Sequence, residues 1–277
     1  MSELTISHPL IEFKIKLEKI EKLNLHEDII PEFLEKLKKK VEVEGCIRQP
    51  VIVDEKTFIV LDGTHRVSAA KSLGCHLIPV CLVNYDNQNL LLDSWYRMIQ
   101  PLSLEKLISS VKELKFKIES SQFEDAKNLV DNRKAITAIA CKEGTYVVYN
   151  TQTNIEEIYR AINRIENKLR SKGFTISYET PVKARRKVLS KKDLAILLVP
   201  IVLKQEVKKK TLNGNIFPPK STRHVLPALP PFVNAELSCL RSRLTCEESN
   251  RIFMENLSKK RLLLISKEEK SDTYVLK

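Results

Sequence analysis

Five consecutive residues, Asp62-Gly63-Thr64-His65-Arg66, bring a carboxylate, a glycine, a hydroxyl, an imidazole and a guanidinium together directly after the apolar run Phe58-Ile59-Val60-Leu61. An apolar strand that ends there and turns into a helix leaves the first backbone N–H groups of that helix without intrahelical partners. It also sets the positive end of the helix dipole beside two side chains able to carry positive charge. Such an arrangement cradles phosphate. Gly63 lets a ligand approach the backbone closely, Arg66 can grip phosphate oxygens through two parallel bonds, and Asp62 can hold Mg²⁺ directly or through water. The competing reading is an ordinary surface helix with Asp62 or Thr64 as its N-cap.

The surrounding pattern supplies the elements such a turn needs. Residues 13–20 alternate apolar and charged side chains as a half-buried strand does, and residues 30–43 repeat apolar positions at helical spacing behind Pro31, with Gly45 as the stop. Residues 50–54 and 58–61 are two short apolar strands joined by Glu55-Lys56-Thr57. A small-residue helix at 67–73, ended by Gly74, precedes a buried strand at 77–84. Further along, residues 103–142 are predicted to be mainly helical, 145–149 a strand, and 155–172 a helix closed by Gly173. Strands are expected at 175–178 and 195–203. The proline-rich stretch 213–231 cannot be regular helix and is expected as a shaped loop, and the last thirty residues as one charged helix with a tail. No internal repeat is present.

The chain of 277 residues can bury a sizeable core, and its 30% charged and 43% hydrophobic composition is that of a globular protein. No stretch has the length of a membrane span. The first residues interleave charges with apolar side chains rather than forming a secretory signal, so a cytoplasmic location is expected. Cys46, Cys75, Cys81, Cys141, Cys239 and Cys246 are scattered without a CxxC pair, which argues against zinc and disulfide frameworks. The net charge of +12 is concentrated: residues 183–220 hold 11 Lys or Arg against Asp193 and Glu206. That run can line a phosphate site, hold nucleic acid, or form a solvated face.

The segment QPVIVDEKTFIVLDGTHRVSAAKSLGCHLIPVCLV resembles the core of the ParB/sulfiredoxin-like fold. Sulfiredoxins carry a catalytic cysteine before the His-Arg pair, where this chain has Thr64. The Gly-Glu-Arg-Arg box and helix-turn-helix of chromosome-partition ParB proteins are not evident. The Asp-Gly-x-His-Arg form instead resembles the free serine kinases, some ADP-dependent and some ATP-dependent. Leu25-His26-Glu27-Asp28-Ile29, Tyr85-Asp86, Ser94-Trp95 and Phe217-Pro218-Pro219-Lys220-Ser221-Thr222-Arg223-His224 match the same family. The resemblance implies an α/β fold of mixed sheets, with a ParB/sulfiredoxin-like nucleotide-binding domain over residues 1–100. A second α/β domain over 101–240 would contribute the PPKSTRH loop and fold back over the active site, and 241–277 would form a charged C-terminal helix and tail.

Carried over residue by residue, the resemblance makes Glu27 the carboxylate that accepts the proton of the L-serine hydroxyl, with His65 and Arg66 as its catalytic companions. Asp62, Gly63, Thr64, His65 and Arg66 would bind the phosphates of an adenine nucleotide, ADP or ATP. Asp62 would meet Mg²⁺, and Trp95, Thr222, Arg223 and His224 would bind the amino acid. Phosphoryl transfer suits this set, since it needs in-line positioning, charge neutralisation and a base rather than a covalent intermediate. The residues also admit plainer readings: Glu27 as a helix-start carboxylate favoured by the macrodipole, His224 as a satisfied surface or core histidine, Trp95 as a core anchor. Two competing functions stand beside the kinase: a nucleotide-responsive ParB-like DNA-binding regulator, motivated by the basic run, and a nuclease or phosphatase on the same fold.

Overall fold

A computed structural model describes residues 3–101, 103–149, 154–260, 262–265 and 272–276. The chain forms two compact units. The first takes Met1–Leu91, Lys204–Pro219 and His224–Lys277; the second takes Leu92–Leu203 and Lys220–Arg223.

In the first unit the elements run β1 (Leu4–His8), β2 (Ile11–Lys19), β3 (Asn24–Leu25), α1 (Pro31–Glu44), β4 (Cys46–Ile47), β5 (Val51–Asp54), β6 (Ile59–Asp62), α2 (Thr64–Ser72) and β7 (Leu77–Val83). A six-stranded mixed sheet has the order β1-β2-β7-β5-β6-β3. β5 runs parallel to β7 and β3 parallel to β6, and the remaining neighbours are antiparallel. β7 is buried along its whole length, as its unbroken run Leu-Ile-Pro-Val-Cys-Leu-Val requires, whereas β2 buries alternate residues. Beyond the end of β1 the edge of β2 is open at Leu17, and the buried amide of Asn250 closes it. Asn250 Oδ1 accepts from the Leu17 N–H at 2.7 Å and its Nδ2 donates to the Leu17 carbonyl at 2.9 Å.

The second unit follows β8 (Leu91–Asp93), with β9 (Tyr96–Gln100), α3 (Leu104–Lys112), β10 (Lys117–Ser121), α4 (Phe123–Asp131), β11 (Thr137–Cys141), β12 (Gly144–Tyr149), α5 (Ile155–Ser171), β13 (Thr175–Glu179), α6 (Pro181–Ser190) and β14 (Ala195–Leu198). Its six-stranded sheet, β10-β12-β11-β14-β9-β13, is antiparallel throughout. α3 packs on α5, α4 on β11 and β12, and α6 on β9, β11 and β14.

The chain then gives α7 (Lys204–Leu212), β15 (Arg223–Val225), β16 (Ala228–Leu229), β17 (Ala235–Glu236), α8 (Leu237–Leu240), α9 (Cys246–Ser258), β18 (Leu262–Ile265) and β19 (Asp272–Leu276). α9 starts with a reciprocal capping box between Thr245 and Glu248 and packs on β2. Among the described residues no helix is long and apolar enough to cross a membrane.

Two expectations from sequence need correction. Residues 103–142 are not mainly helical: β10 and β11 lie between and after the helices, because a short buried run such as Thr-Ala-Ile-Ala-Cys has no periodicity that separates strand from helix. The basic run, to which only the strand at 195–203 was assigned from sequence, also holds two helices, α6 and α7, the first opened by Pro181 at its first turn. The charged helix near the C-terminus is followed by the antiparallel pair β18–β19 rather than by a tail alone. β19 also pairs in parallel with β16, a partner far back in the sequence. Residues 204–219 and 224–277 group with the first unit, and 220–223 with the second.

Candidate active site

The turn between β6 and α2 is built by backbone geometry. Gly63 occupies the N-cap of α2 with φ 107°, a conformation that side chains disfavour, and no side chain caps the helix end. The first intrahelical bond runs from the Val67 N–H to the Gly63 carbonyl at 3.0 Å. A Cβ on Gly63 would lie 2.9 Å from Arg66 Nε and 3.0 Å from Cζ, so this glycine is required by the packed guanidinium as well as by its φ. Arg66 Nη1 donates to the Gln49 carbonyl at 3.1 Å and to the Pro50 carbonyl, and Nη2 donates to Asp62 Oδ2. The Asp62 side chain is 59% exposed. A pair with so wet a carboxylate contributes about 0–1 kcal/mol, so an arriving phosphate can replace Asp62 at Arg66 with little loss.

His65 reaches the other way. Its Nε2 accepts from the Ile30 N–H at 2.9 Å, and its ring lies 6.0 Å from that of Phe33. Ile30 is the N-cap of α1, so the first turn of α2 holds the start of α1. Three residues before Ile30 stands Glu27, whose side chain is 13% exposed. Its backbone is fixed on both sides, because the Phe217 N–H donates to the His26 carbonyl at 2.8 Å and the Asp28 N–H to the Phe217 carbonyl at 2.9 Å.

Behind Glu27 lies a group of rings, of which His26 and Tyr85 were left without a role in the sequence reading and His224 was assigned to the amino acid. His26 is buried, its Nδ1 bonded to the Val60 carbonyl at 2.5 Å and its Nε2 3.7 Å from Glu27 Oε1. His224 stands edge-on to His26 at 5.3 Å and bonds through Nε2 to the Tyr85 hydroxyl at 2.9 Å. Its enclosed Nδ1 makes no hydrogen bond of good geometry among the described residues. Burial, with the neighbouring His26 second, holds the His224 imidazole well below its ordinary value. Burial likewise pushes the Tyr85 phenol up, with Asp54 and Asp86 adding to it. The signal for these residues was their place inside the two quoted segments, His26 beside Glu27 and Tyr85 beside Asp86.

In the second unit, Trp95 is half-buried and faces two cations: Lys220 Nζ is 4.9 Å from the ring centroid and the Arg223 guanidinium 5.5 Å. Arg223 Nη1 donates to Asp93 Oδ2 at 2.8 Å, and Ser221 and Thr222 between them are buried. Lys220 has φ 61°, so the segment reaches this arrangement through a left-handed residue. Trp95, Thr222 and Arg223 thus lie in one unit. Glu27, Asp62, Gly63, Thr64, His65, Arg66 and His224 lie in the other.

Four cations of the basic run are engaged by partners within the unit each belongs to. In the first unit Lys204 Nζ donates to the Asn87 carbonyl at 2.8 Å, and Lys208 pairs with Asp86 at 2.5 Å. Burial pulls the Lys204 ammonium below its usual value. In the second, Lys187 pairs with Glu179 at 2.6 Å and Arg185 with Glu124 at 2.7 Å. Among the described residues no three His, Cys, Asp or Glu side chains gather to hold a metal. The exposed Asp62 fits the other mode, in which magnesium takes one or two carboxylates together with nucleotide phosphates.

An ATP-dependent L-serine kinase of Staphylothermus marinus is 30% identical over 231 residues, covering 80% of this chain and 89% of that protein. The chain belongs to the L-serine kinase family. Another member, the ADP-dependent L-serine kinase SerK of Thermococcus kodakarensis, is 21% identical over 222 residues, 79% of this chain and 89% of its own. A solved free serine kinase in complex with AMP superposes with a TM-score of 0.70 at 19% identity, over 82% of this chain and 93% of that one. The ParB N-terminal domain family matches residues 5–95, the part of this serine kinase family member that contains Glu27 and the β6–α2 turn.

Proposed function

We infer that the chain transfers the terminal phosphoryl group of ADP or ATP to the hydroxyl of free L-serine, giving O-phospho-L-serine. The observation that carries the reading is the bond from the Ile30 N–H to His65 Nε2, which ties the segment bearing a nearly enclosed carboxylate to a turn built for phosphate. As the serine Oγ–P bond forms and the P–O bond to the nucleotide breaks, the hydroxyl proton goes to Glu27 and the electron pair leaves on the nucleotide phosphate. Arg66 and the uncapped end of α2 stabilise charge on the transferred oxygens, and His65 keeps the turn in register with α1. Mg²⁺, held by Asp62 with phosphate oxygens, would supply further charge neutralisation when bound. Trp95, Thr222, Arg223 and His224 are assigned to the amino acid and its phosphate, Arg223 being the cation for a carboxylate or phosphate group.

Supporting the reading over a DNA-binding regulator is the fate of the basic run, whose Arg185, Lys187, Lys204 and Lys208 are occupied by carboxylates or a carbonyl of the protein. A cytoplasmic enzyme is consistent with six free cysteines. Incubation with ADP or ATP, Mg²⁺ and a panel of free amino acids tests the assignment. O-phosphoserine is expected only when serine and nucleotide are both present. Release of inorganic phosphate without phosphoserine would assign a phosphatase. Duplex binding that weakens steeply with salt, without phosphoserine, would assign the regulator.

A further inference from the structure

We propose that Phe33 is a stacking platform for the nucleobase of the phosphoryl donor and sets a preference for purine nucleotides; this rests on the reading of the β6–α2 turn as the donor phosphate site. Ile30, Phe33, Leu34 and Leu37 recur at the spacing that puts them on one face of α1. Such a stripe is ordinarily buried. Here Ile30, Leu34 and Leu37 are only half-covered, Phe33 is 43% exposed, and among the residues of α1 Val41 alone is buried. An aromatic face left in water at this point gains free energy from any flat apolar surface laid on it.

The open stripe begins where the turn touches α1. The Phe33 ring lies 6.0 Å from the His65 ring, tilted by 47°, and the Ile30 N–H donates to His65 Nε2. His65 is the second residue of α2, so a nucleotide with its phosphates on the start of that helix has the Phe33 ring beside it. The ring's backbone is fixed as well: Pro31 opens α1, the Phe33 N–H donates to the Ile30 carbonyl at 3.0 Å, and Ile30 is itself tied to His65. A platform held in this way loses little freedom when a base lands on it. The phosphates and the amino-acid substrate are charged and do not suit an apolar stripe, whereas the base is flat, aromatic and uncharged. A purine covers more of the ring than a pyrimidine does, and that difference in covered area is the source of the preference.

Calorimetry with ADP, CDP and inorganic pyrophosphate separates the base from the phosphates, since pyrophosphate carries two linked phosphates without a nucleoside. We expect Phe33→Ala to weaken ADP binding about tenfold, to leave pyrophosphate binding near the parent and to shrink the preference for ADP over CDP. Phe33→Trp should keep the ADP affinity. Unchanged ADP affinity in Phe33→Ala overturns the proposal. An equal loss for ADP and pyrophosphate overturns it too, since the ring would then act only as a support for His65. So does the loss of a concentration-dependent dimer with ADP affinity intact, which would assign the stripe to a second copy of the chain. Should Phe33→Ala not fold, Phe33→Leu, which keeps an apolar side chain against His65 but no flat face, carries the same comparison. If Arg66→Ala leaves ADP affinity unchanged, the phosphate-site reading falls and this inference with it, whereas an Arg66→Ala that weakens both ADP and pyrophosphate beside an insensitive Phe33→Ala overturns the inference only.

Discussion

Each unit contains an arginine paired with a carboxylate, and the two pairs are built for opposite ends. Arg97 and Glu166 in the second unit are 1% and 4% exposed and 2.7 Å apart. Both groups have further partners: Arg97 Nη1 donates to the Trp95 carbonyl at 2.6 Å, and Glu166 Oε2 accepts from the Tyr178 hydroxyl at 2.8 Å and from Arg170 at 3.3 Å. Burial first and Glu166 second push the Tyr178 hydroxyl up to about 12, so it remains a donor. Arg66 and Asp62 in the first unit share the same chemistry, but the carboxylate is mostly in water. A charge pair enclosed in the core is architecture; a pair with one wet partner can be exchanged. Burial, not residue type, sets which of the two an arginine becomes.

The largest effect should fall on the buried pair. Arg97→Met leaves Glu166 charged and without its main partner in the core, which costs about 3–5 kcal/mol; denaturant unfolding should register it. Replacing both, Arg97→Met with Glu166→Leu, should recover much of that stability, and a double variant as weak as the single one would show that the surrounding tyrosines need the charges.

Arg66→Ala should do the reverse. The loss of charge-assisted bonds to phosphate is worth about 1.5–3 kcal/mol of nucleotide affinity, readable by calorimetry, with unfolding stability changed by no more than about 1 kcal/mol. A destabilisation as large as that of Arg97→Met would erase the contrast. Arg223, paired with Asp93 and laid against Trp95, tests an intermediate case. Its replacement by alanine should lower kcat/KM for serine about tenfold, near 1.4 kcal/mol, while nucleotide affinity changes much less; unchanged serine kinetics would make this pair structural as well. The smallest effect is expected from Tyr85→Phe, which removes an uncharged buried bond to His224 and should cost about 1 kcal/mol of stability.

Much of the β6–α2 turn was legible because it is contiguous. An apolar run, a glycine and a basic pair within five residues define a strand, a left-handed turn and a helix start through local geometry alone, and β5, β6, α2 and β7 lie where the pattern put them. The family resemblance also pointed to Glu27, Trp95, Thr222 and Arg223 as candidates for chemistry. It did not reveal what surrounds them. That His65 would be spent holding the Ile30 N–H, that His26 and His224 would pack edge-on behind Glu27, and that Asp93 would pair with Arg223 are consequences of contacts between residues 35 to 198 positions apart. The return of residues 224–277 to the first unit, and the pairing of β16 with β19, were hidden for the same reason. Local propensity and hydrophobic period act over a few residues and fix elements and turns. Which carboxylate is buried, which imidazole stays neutral and which cation can be exchanged depend on solvent exclusion by distant segments, and only the tertiary structure decides that.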